Sequence, residues 1–419
     1  MHSYLCIDLK SFYASVECVE RELDPMTTRL VVADPERSQK TICLAISPAM
    51  KALGIKNRCR VFEIPKNIDY IIAPPQMQKY INYSASIYAI YLKYISKEDI
   101  HVYSIDEAFM DVTNYLSLYK MTARELGQHI MSDIFSELGI RATCGIGTNL
   151  YLTKVALDIA AKHDADFIGE LDEVSYQKRL WGHIPLTDFW RVGPGIARKL
   201  EGYGIRTMGE IAHTEEDLLY HLFGVDAELL IDHAWGREPV TITDIKNYKS
   251  QTNCLTSGQV LMEDYPYEEG KLIVKEMMDL LCLDMVEKNL VTKSLTLHIG
   301  YSNQLNLNTA HGTVSLEDET NSDMILIPAI TSLYTRIINP DFPVRRVNIS
   351  CNHVIPERFH QYSLFTDVAG LERNRKVQKA VLEIKHRFGK NAVLKGMNFE
   401  EGAMTRARNH QIGGHKSGE

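Results

Sequence analysis

Residues 103–111 read Tyr-Ser-Ile-Asp-Glu-Ala-Phe-Met-Asp. The β-forming residues over 101–105 predict a strand, and two adjacent carboxylates, Asp106 and Glu107, follow at its end. Adjacent strand residues point to opposite faces, so both carboxylates reach one site only if the chain turns there, as at a hairpin tip. A solvated acidic turn would explain the pair without any function. Clustered carboxylates otherwise need a positive partner, and Mg²⁺ is the usual one.

A third acidic residue lies about a hundred residues earlier, at the end of another predicted strand. Residues 4–8 predict a buried strand ending at Asp8, and apolar spacing over 12–19 predicts a helix directly after it. An aspartate in this position either caps the helix or borders a site for a metal-bound polyphosphate. Together, Asp8, Asp106 and Glu107 could hold two Mg²⁺ ions about 3.5–4 Å apart, as polymerases and nucleases do for phosphoryl transfer.

Length and composition indicate a multidomain cytosolic protein. The 419 residues suffice for about two to four domains, with ordinary apolar and charged fractions. The eight cysteines are scattered without a C-x-x-C pair, which favours reduced thiols over a disulfide framework or a zinc site. A strand-like segment begins at Tyr4, which leaves no room for a signal peptide, and no apolar run is long enough to span a bilayer. We therefore expect a cytoplasmic protein without a membrane partner.

The net charge of −8 is unevenly distributed. Residues 340–419 carry 14 Lys and Arg against eight Asp and Glu, so the rest of the chain is strongly acidic. An acidic body with a basic C-terminal region is compatible with phosphate binding by local patches.

The acidic motifs resemble those of a known enzyme family. Residues 7–17 and 104–109, in this order and spacing, are similar to the paired catalytic motifs of Y-family (translesion) DNA polymerases. The likeness is to the UmuC-like branch of Gram-positive bacteria and their phages or plasmids. It implies that the three carboxylates are catalytic metal ligands for two Mg²⁺ ions, with Leu9 as a further ligand.

The resemblance also assigns residues that would contact an incoming dNTP. Phe12 and Tyr13 would line the nucleotide site, with Tyr13 as a steric gate whose ring collides with a ribose 2′-hydroxyl; a core aromatic is the alternative. A short helix is predicted over 47–55, from which Ser47 and Lys51 would contact the triphosphate. Many family members have a tyrosine where this chain has Pro48, which removes one phosphate contact.

A further lysine is expected near the end of a helix predicted over 149–162. Counting from Lys154, the family's lysine position falls on Ala161, one residue before Lys162. Lys162 is therefore the predicted triphosphate contact of this helix.

The predicted fold class is α+β and multidomain, in the right-hand arrangement of polymerases. A ferredoxin-like palm, with helices on one face of its sheet, is expected over 1–10 and 75–168. Small fingers are expected over 11–74 and a helical thumb over 169–240. Residues 192–200 have the form of a helix–hairpin–helix, in which Gly193, Gly195 and Arg198 would contact a DNA phosphate. A plain turn between packed helices is the alternative.

A polar linker is predicted over 241–250, followed by a little-finger domain over 251–355. The order β-α-β-β-α-β, with strands over 252–262, 291–302, 310–317 and 344–355 and helices over 266–289 and 322–339, predicts a four-stranded sheet with two helices. Lys293, Arg345 and Arg346 are candidate DNA contacts, although each is equally well an ordinary surface charge.

Residues 356–419 are predicted to be a tail with a basic amphipathic helix over 377–388. Residues 361–365 resemble the Q-x-S-L-F peptide by which bacterial polymerases bind the sliding clamp, the β subunit. Gln361 and Ser363 would supply polar contacts, and Leu364 and Phe365 would enter an apolar groove. The resemblance also allows a recombinase or other SOS accessory proteins as partners.

The predicted function is error-prone, template-directed DNA synthesis from dNTPs on primer–template DNA, without proofreading. A nucleotide cyclase also uses paired carboxylates on a ferredoxin-like palm, but the thumb, little finger and clamp peptide argue against it. A catalytically silent DNA- or clamp-binding protein is a third reading, which the intact carboxylate triad argues against.

Overall fold

The computed structural model describes residues 2–161, 164–250, 253–358 and 367–418. The chain divides into two units, residues 1–248 and 249–417, and the boundary falls inside the predicted linker. None of the helices in the described ranges is long and apolar enough to cross a membrane.

The first unit combines a central sheet, a small second sheet and many helices. Its strands β1 to β8 are Tyr4–Leu9, Leu30–Val32, Ala45–Ile46, Ile71–Ala73, Ile100–Val102, Glu107–Asp111, Ala142–Gly147 and Ile168–Leu171. Its helices α1 to α12 are Phe12–Val19, Pro48–Ala52, Met77–Tyr91, Tyr115–Tyr119, Ala123–Leu138, Leu150–Val155, Glu173–Leu180, Pro194–Glu201, Met208–Ala212, Glu216–Phe223, Asp226–Ala234 and Ile242–Asn247.

The central sheet has the strand order β5-β6-β1-β7-β8. All neighbours are antiparallel except β7 and β8, which are parallel. The strands β1, β5, β6 and β7, with helices inserted between them, form the predicted ferredoxin-like arrangement. Strand β8 extends this sheet by one further strand at its edge.

Helices cover both faces of the central sheet, so the predicted one-sided cover is wrong. On one face, Gly127 of α5 lies against Cys144 of β7, whose sulfur is 3.1 Å from an ideal Cβ at Gly127. On the other face, the next strand residue, Gly145, lies directly under α6. Successive side chains of β7 therefore pack against different helices, as expected for a strand that is buried on both sides.

Two glycines of β7 allow α6 to lie unusually close to the sheet. A Cβ on Gly145 would stand 2.2 Å from the Thr153 carbonyl oxygen, and one on Gly147 would stand 2.4 Å from the Thr153 nitrogen. Any side chain at either position would push the helix outward. Beyond α6 the chain continues as a π-helical turn over Ala156–Ala160. A π turn takes up one more residue than an α turn, so counting along an ideal α-helix from Lys154 no longer gives the true facing of later residues.

The small sheet, ordered β3-β2-β4, has its own core, to which Val31, Ile46 and Met50 contribute. Strand β4 was not expected from the sequence. Helices α7 to α11 form the predicted helical region, and their core is continuous with the outer side of α6.

The linker predicted over 241–250 is wrong in its first part, because residues 242–247 form helix α12. Thr241 caps this helix by accepting a hydrogen bond from the Asp244 N–H. Ile242, only 2 % exposed, packs with Tyr4 and Cys6 on the sheet face that α6 covers. One buried residue in a polar segment gives no readable period, which is why the sequence concealed this helix.

The second unit is a separate α+β domain. Its strands β9 to β15 are Leu255–Tyr265, Leu290–Tyr301, Ala310–Thr320, Val344–Asn352, Ile355–Pro356, Gln411–Ile412 and His415–Lys416. Its helices α13 to α16 are Tyr267–Glu287, Asp323–Ile337, Val368–Phe388 and Thr405–Arg408. The main sheet is antiparallel with the order β11-β10-β12-β9, and α13 and α14 share its core. This confirms the predicted four strands and two helices.

Much of the predicted tail is folded onto α13. Glu276, buried in that helix, accepts hydrogen bonds from the Asn398 side chain at 2.8 Å and from the Met404 and Thr405 N–H groups at 2.7 and 3.2 Å. Lys395 forms ion pairs with Asp279 of α13, at 2.6 Å, and with Asp323 of α14. The C-terminal segment is therefore a third layer of the second unit, and its first helix is longer than predicted.

Candidate active site

The structure brings two of the three predicted carboxylates together by strand register. Asp8 of β1 lies directly opposite Glu107 of β6. Strand β5 ends at Val102, earlier than predicted, and a turn leads to Asp106 just before β6 begins. Ser104 donates a hydrogen bond of 2.6 Å to the Asp106 carboxylate. The predicted hairpin tip is thus present, and it places adjacent acidic residues at one end of the sheet.

The backbone fixes this turn to the end of β1. The Leu9 N–H donates a hydrogen bond of 2.9 Å to the carbonyl of Asp106. Leu9 is also the last residue of β1, one position after Asp8. All four predicted metal-site residues therefore lie where β1, the turn and β6 meet.

The site carries more negative charge than its surroundings balance. Burial raises the pKa of Asp8 to about 7, and the negative charges of Asp106 and Glu107 act in the same direction. Lys154 opposes the shift without cancelling it. A bound cation would relieve this repulsion.

Lys154 is the site residue that the sequence reasoning missed. Its Nζ lies 2.8 and 2.9 Å from the two carboxylate oxygens of Glu107 and 3.2 Å from Asp158. Burial lowers the pKa of Lys154, but the charges of Asp158 and Glu107 outweigh that effect and raise it. In the sequence, Lys154 was used only to locate the expected triphosphate lysine and was given no role of its own. Its Asp four residues later and the glycine-rich strand before α6 were the available signals of a buried ion pair.

Cys6 also contacts Glu107, since its thiol donates a hydrogen bond of 3.1 Å to Oε1. Burial and the Glu107 charge raise the pKa of Cys6 well above its usual range, so it remains a neutral donor. Within the described ranges, no three His, Cys, Asp or Glu side chains stand ready as a metal site. The Glu107 carboxylate is turned toward Lys154 and Cys6.

The predicted nucleotide-site residues differ in their exposure. Phe12 is 2 % exposed, so its ring belongs to the core. Tyr13 is half-buried, and burial together with the charge of Asp106 raises its pKa. Lys51 lies in the last turn of α2 and is exposed. Burial and the nearby charges of Lys51 and Arg141 lower the pKa of Lys10, and the charge of Asp8 acts in the opposite direction.

Ser47 does not fit its predicted contact with the triphosphate. The residue is 0 % exposed and lies before α2. Its hydroxyl donates to the Thr28 carbonyl at 2.7 Å and accepts from the N–H groups of Leu30 and Met50 at 3.1 and 3.3 Å. The hydroxyl hydrogen is therefore already used inside the fold, and we correct the assignment to a helix cap.

Several predicted residues lie outside the described ranges. These are the triphosphate lysine and the clamp peptide, namely Lys162, Gln361, Ser363, Leu364 and Phe365.

The predicted DNA contacts are found at the surfaces of both units. In the first unit, Gly193 precedes α8 and Gly195 lies in its first turn, both exposed, while Arg198 donates to the Pro194 carbonyl at 3.2 Å. In the second unit, Lys293 and Arg346 are exposed. Arg345, in the same unit, is half-buried and forms an ion pair with Asp264 at 3.5 Å.

Comparison with known proteins identifies the family. The impB/mucB/samB family model matches residues 7–158, and the model of that family's C-terminal domain matches residues 256–364. UvrX of Bacillus subtilis (strain 168), named for UV-damage repair, is 30 % identical over 416 residues, covering 99 % of this chain and 97 % of UvrX. The chain belongs to the Y family of DNA polymerases.

Other Y-family members match over similar lengths. DNA polymerase IV 2 of Halalkalibacterium halodurans is 27 % identical, with 98 % of each chain covered. Among solved structures, a Y-family DNA polymerase chimera of Dbh and Dpo4 matches with a TM-score of 0.65 at 19 % identity. The match covers 84 % of this chain and 99 % of the chimera. It confirms the predicted right-hand fold class.

Proposed function

We propose that this Y-family member extends primers across damaged template bases, using dNTPs and lacking proofreading. Its family and its near full-length match to proteins named DNA polymerase IV make it a DNA-directed DNA polymerase. The observation that carries the proposal is the alignment of Asp8 with Glu107 across β1 and β6, with Asp106 in the adjoining turn. These relatives are named as polymerases, which favours neither a cyclase nor a silent binding protein.

Membership of this family implies dependence on a divalent metal, and we propose two Mg²⁺ ions held by Asp8, Asp106, Glu107 and the Leu9 carbonyl. The donors fit, because they are oxygen atoms of the kind that Mg²⁺ prefers. Burial and the charges of Asp106 and Glu107 raise the pKa of Asp8, and a bound cation would favour its charged form. When bound, the metal would lower the pKa of the primer 3′-hydroxyl and neutralise charge on the triphosphate.

The chain's own residues keep the ligands in position. Lys154 holds both oxygens of Glu107, and Ser104 orients the carboxylate of Asp106. For the triphosphate we propose the N-terminus of α1 together with Lys51 and Lys162. The hydroxyl of Ser11, just before α1, is buried and has no hydrogen-bond partner among the described residues, which fits a phosphate acceptor there.

Sugar and DNA selection follow from the same assignment. We propose that the Tyr13 ring excludes the ribose 2′-hydroxyl. Backbone N–H groups at Gly193 and Gly195, with Arg198, would bind DNA phosphates without reading sequence. The palm, fingers, thumb and little finger would have the extents predicted above, and Lys293, Arg345 and Arg346 would contact DNA from the last of these.

Residues 361–365 are proposed to bind the sliding clamp, with recombinase or other SOS proteins as further partners. Replacing both Leu364 and Phe365 by alanine should abolish stimulation of synthesis by the clamp and leave basal synthesis unchanged. Persistent stimulation in a clamp-loaded primer-extension assay would contradict this assignment.

Primer extension tests the proposed function directly. With Mg²⁺ and dNTPs, the wild-type protein should extend primers on undamaged templates and past an abasic site. Asp106→Asn should lose extension by several orders of magnitude while retaining DNA binding, because it removes a ligand charge and little volume. No extension by the wild type, or unchanged extension by the variant, would contradict the proposal.

A further inference from the structure

We propose that Tyr80 is a positioning residue for sugar selection, acting through the ring of Tyr13. The inference rests on the proposed function, because it deepens the steric-gate assignment of Tyr13. Its basis is a contact between α1 and α3.

The two rings form a closely stacked pair. The ring centroids of Tyr13 and Tyr80 lie 4.4 Å apart, and their planes differ by only 15°. Tyr80 is 0 % exposed, whereas Tyr13 is half-buried. Tyr80 therefore supports one face of the Tyr13 ring, which is itself partly exposed.

A buried carboxylate, that of Glu17, holds Tyr80 in place. The Tyr80 hydroxyl donates a hydrogen bond of 2.6 Å to Oε1 of Glu17, which is itself 0 % exposed. Gln76 donates from Nε2 to both oxygens of Glu17, at 3.1 and 3.2 Å, and Arg21 donates to the same carboxylate. Hydrogen bonds to a charged acceptor are stronger and shorter than neutral ones. Burial and the hydrogen bond to Glu17 raise the pKa of Tyr80, so it remains a donor.

Helical spacing links these contacts. Tyr13, Glu17 and Arg21 follow one another at four-residue steps along α1 and the turn beyond it. Gln76, the residue just before α3, and Tyr80 in that helix repeat the same step. Residues four apart lie on the same helix face. These two faces therefore pack against each other as one continuous contact, and the Tyr13 ring lies at its end.

This arrangement bears on discrimination between ribonucleotides and deoxyribonucleotides. A steric gate rejects the 2′-hydroxyl only if its ring stays in position when the hydroxyl presses on it. A ring with empty space behind it can tilt away from a 2′-hydroxyl, whereas a ring backed by Tyr80 must move Tyr80 and break its anchor to Glu17. The dNTP has no 2′-hydroxyl and does not press on the ring. Loss of Tyr80 should therefore affect ribonucleotides selectively.

The test compares kcat/KM for an rNTP and the matching dNTP in single-nucleotide insertion. Tyr80→Leu should raise the relative use of the rNTP by up to roughly tenfold, the ratio expected for loss of one aromatic stack. The dNTP value should change far less. Tyr80→Phe keeps the ring and loses only the hydrogen bond, so its ratio should lie between those of Tyr80→Leu and the wild type.

Tyr83 supplies a matched control. Its hydroxyl donates a 2.7 Å hydrogen bond to Glu20, so it joins the same two helices with the same sequence separation of 63 residues. It has no stacking contact with Tyr13 among the described residues. Tyr83→Leu should leave sugar discrimination unchanged. An equal effect of Tyr83→Leu and Tyr80→Leu would overturn the proposal by showing a general loosening of the helices.

A double variant separates this proposal from the gate assignment itself. If Tyr80 acts through Tyr13, then adding Tyr80→Leu to Tyr13→Ala should not raise ribonucleotide use further. No effect of Tyr13→Ala alone would contradict the proposed gate. An effect of Tyr13→Ala with none of Tyr80→Leu, or additive effects in the double variant, would overturn only the role of Tyr80. If Tyr80→Leu does not fold, Tyr80→Phe carries the test, and unchanged discrimination in it overturns the proposal.

Discussion

Lys154 acts as an internal cation for the acidic cluster. It and Glu107 are both nearly buried, and the lysine contacts both carboxylate oxygens. Burying such a pair is costly, and removal of one partner leaves an uncompensated charge. A metal bound at the proposed site would therefore meet a Glu107 that is already held in place, with a positive neighbour that also contacts Asp158.

Lys154→Met should destabilise the metal-free protein by about 3 kcal/mol, because the Glu107 carboxylate would remain buried without a counter-charge. Added Mg²⁺ should recover part of this loss, since the ion restores positive charge beside Glu107. Thermal unfolding with and without Mg²⁺ measures both effects. The control is Lys93→Met, since Lys93 forms an exposed pair with Glu137 and should cost at most about 1 kcal/mol. Equal recovery by Mg²⁺ in both variants would contradict the assignment.

Ser47 and Lys51 should separate into a structural and a ligand-binding residue. Ser47→Ala removes a buried helix cap and should lower the free energy of unfolding by about 0.5–2 kcal/mol, with little change in KM for dNTPs. Lys51→Ala should raise KM for dNTPs several-fold and leave stability nearly unchanged, because Lys51 is exposed. Chemical denaturation and steady-state insertion kinetics distinguish the two. The reverse pattern would restore the original assignment of Ser47.

The sequence indicated which residues lie at the site. It was less informative about the contacts that each side chain makes. Asp8, Asp106 and Glu107 were found because acidic residues after β-forming segments are locally visible. Ser47 and Lys154 were not understood, because each has a partner far away in the sequence: Leu30 lies 17 positions from Ser47, and Glu107 lies 47 positions from Lys154. A pattern in one dimension shows that a polar residue is present, but its partners depend on the tertiary fold.

At the scale of elements, the approach of α6 to β7 determines where Lys154 lies. Gly145→Ala would place a Cβ 2.2 Å from the Thr153 carbonyl oxygen, and that backbone atom cannot rotate away. The variant should lose about 1–3 kcal/mol of stability through overpacking. Its polymerase activity should fall as well, because α6 carries Lys154.

Gly182→Ala is the control for this substitution, since nothing lies within 4 Å of an added Cβ there. Its stability should change by no more than about 0.5 kcal/mol. Unfolding and primer-extension measurements on both variants provide the comparison. If Gly145→Ala matched Gly182→Ala in both measurements, the close packing of α6 would not matter to the site.

Periodicity predicted most of these elements, and tertiary contacts explain the failures. The helices α13 and α14 were expected within a few residues, because their buried stripes repeat along the helix. Helix α12 has one buried anchor, and strand β4 has three residues, two of them exposed. Such elements exist because neighbours hold them, so local sequence is a poor guide to them.

At the scale of the whole molecule, part of the positive charge of the basic C-terminal region is used in ion pairs within the protein. Arg375 pairs with Glu357, and Lys395 joins Asp279 and Asp323 of two different helices. The charge excess that the sequence assigned to phosphate binding is thus partly structural. Net charge along a chain cannot distinguish these uses, because the acidic partners lie elsewhere in the sequence.

Lys395→Met should destabilise the second unit by about 1–2 kcal/mol, less than for a fully buried pair because the lysine is partly exposed. The loss should grow as pH rises. Burial already raises the pKa of Asp279, although Lys395 opposes this, and removal of Lys395 should raise it further. A carboxyl whose pKa is higher in the folded than in the unfolded state lowers the protein's free energy of unfolding as pH rises. This loss develops between the unfolded-state pKa and the folded-state pKa. Unfolding of both proteins from pH 4 to 8 tests this, and a pH-independent difference would contradict it.

Helix α3 connects two tasks that are usually considered separately. Tyr80 on this helix backs the ring of Tyr13, and Ser84, one turn later, donates a 2.6 Å hydrogen bond to the Ile105 carbonyl beside Asp106. If Tyr13 is the gate and Asp106 a metal ligand, as proposed, a ribonucleotide that displaced the ring would also press on the helix that holds the backbone beside Asp106. The wrong sugar would be penalised twice, once by poorer fit and once by slower chemistry, so rejection would appear in kcat as well as in KM.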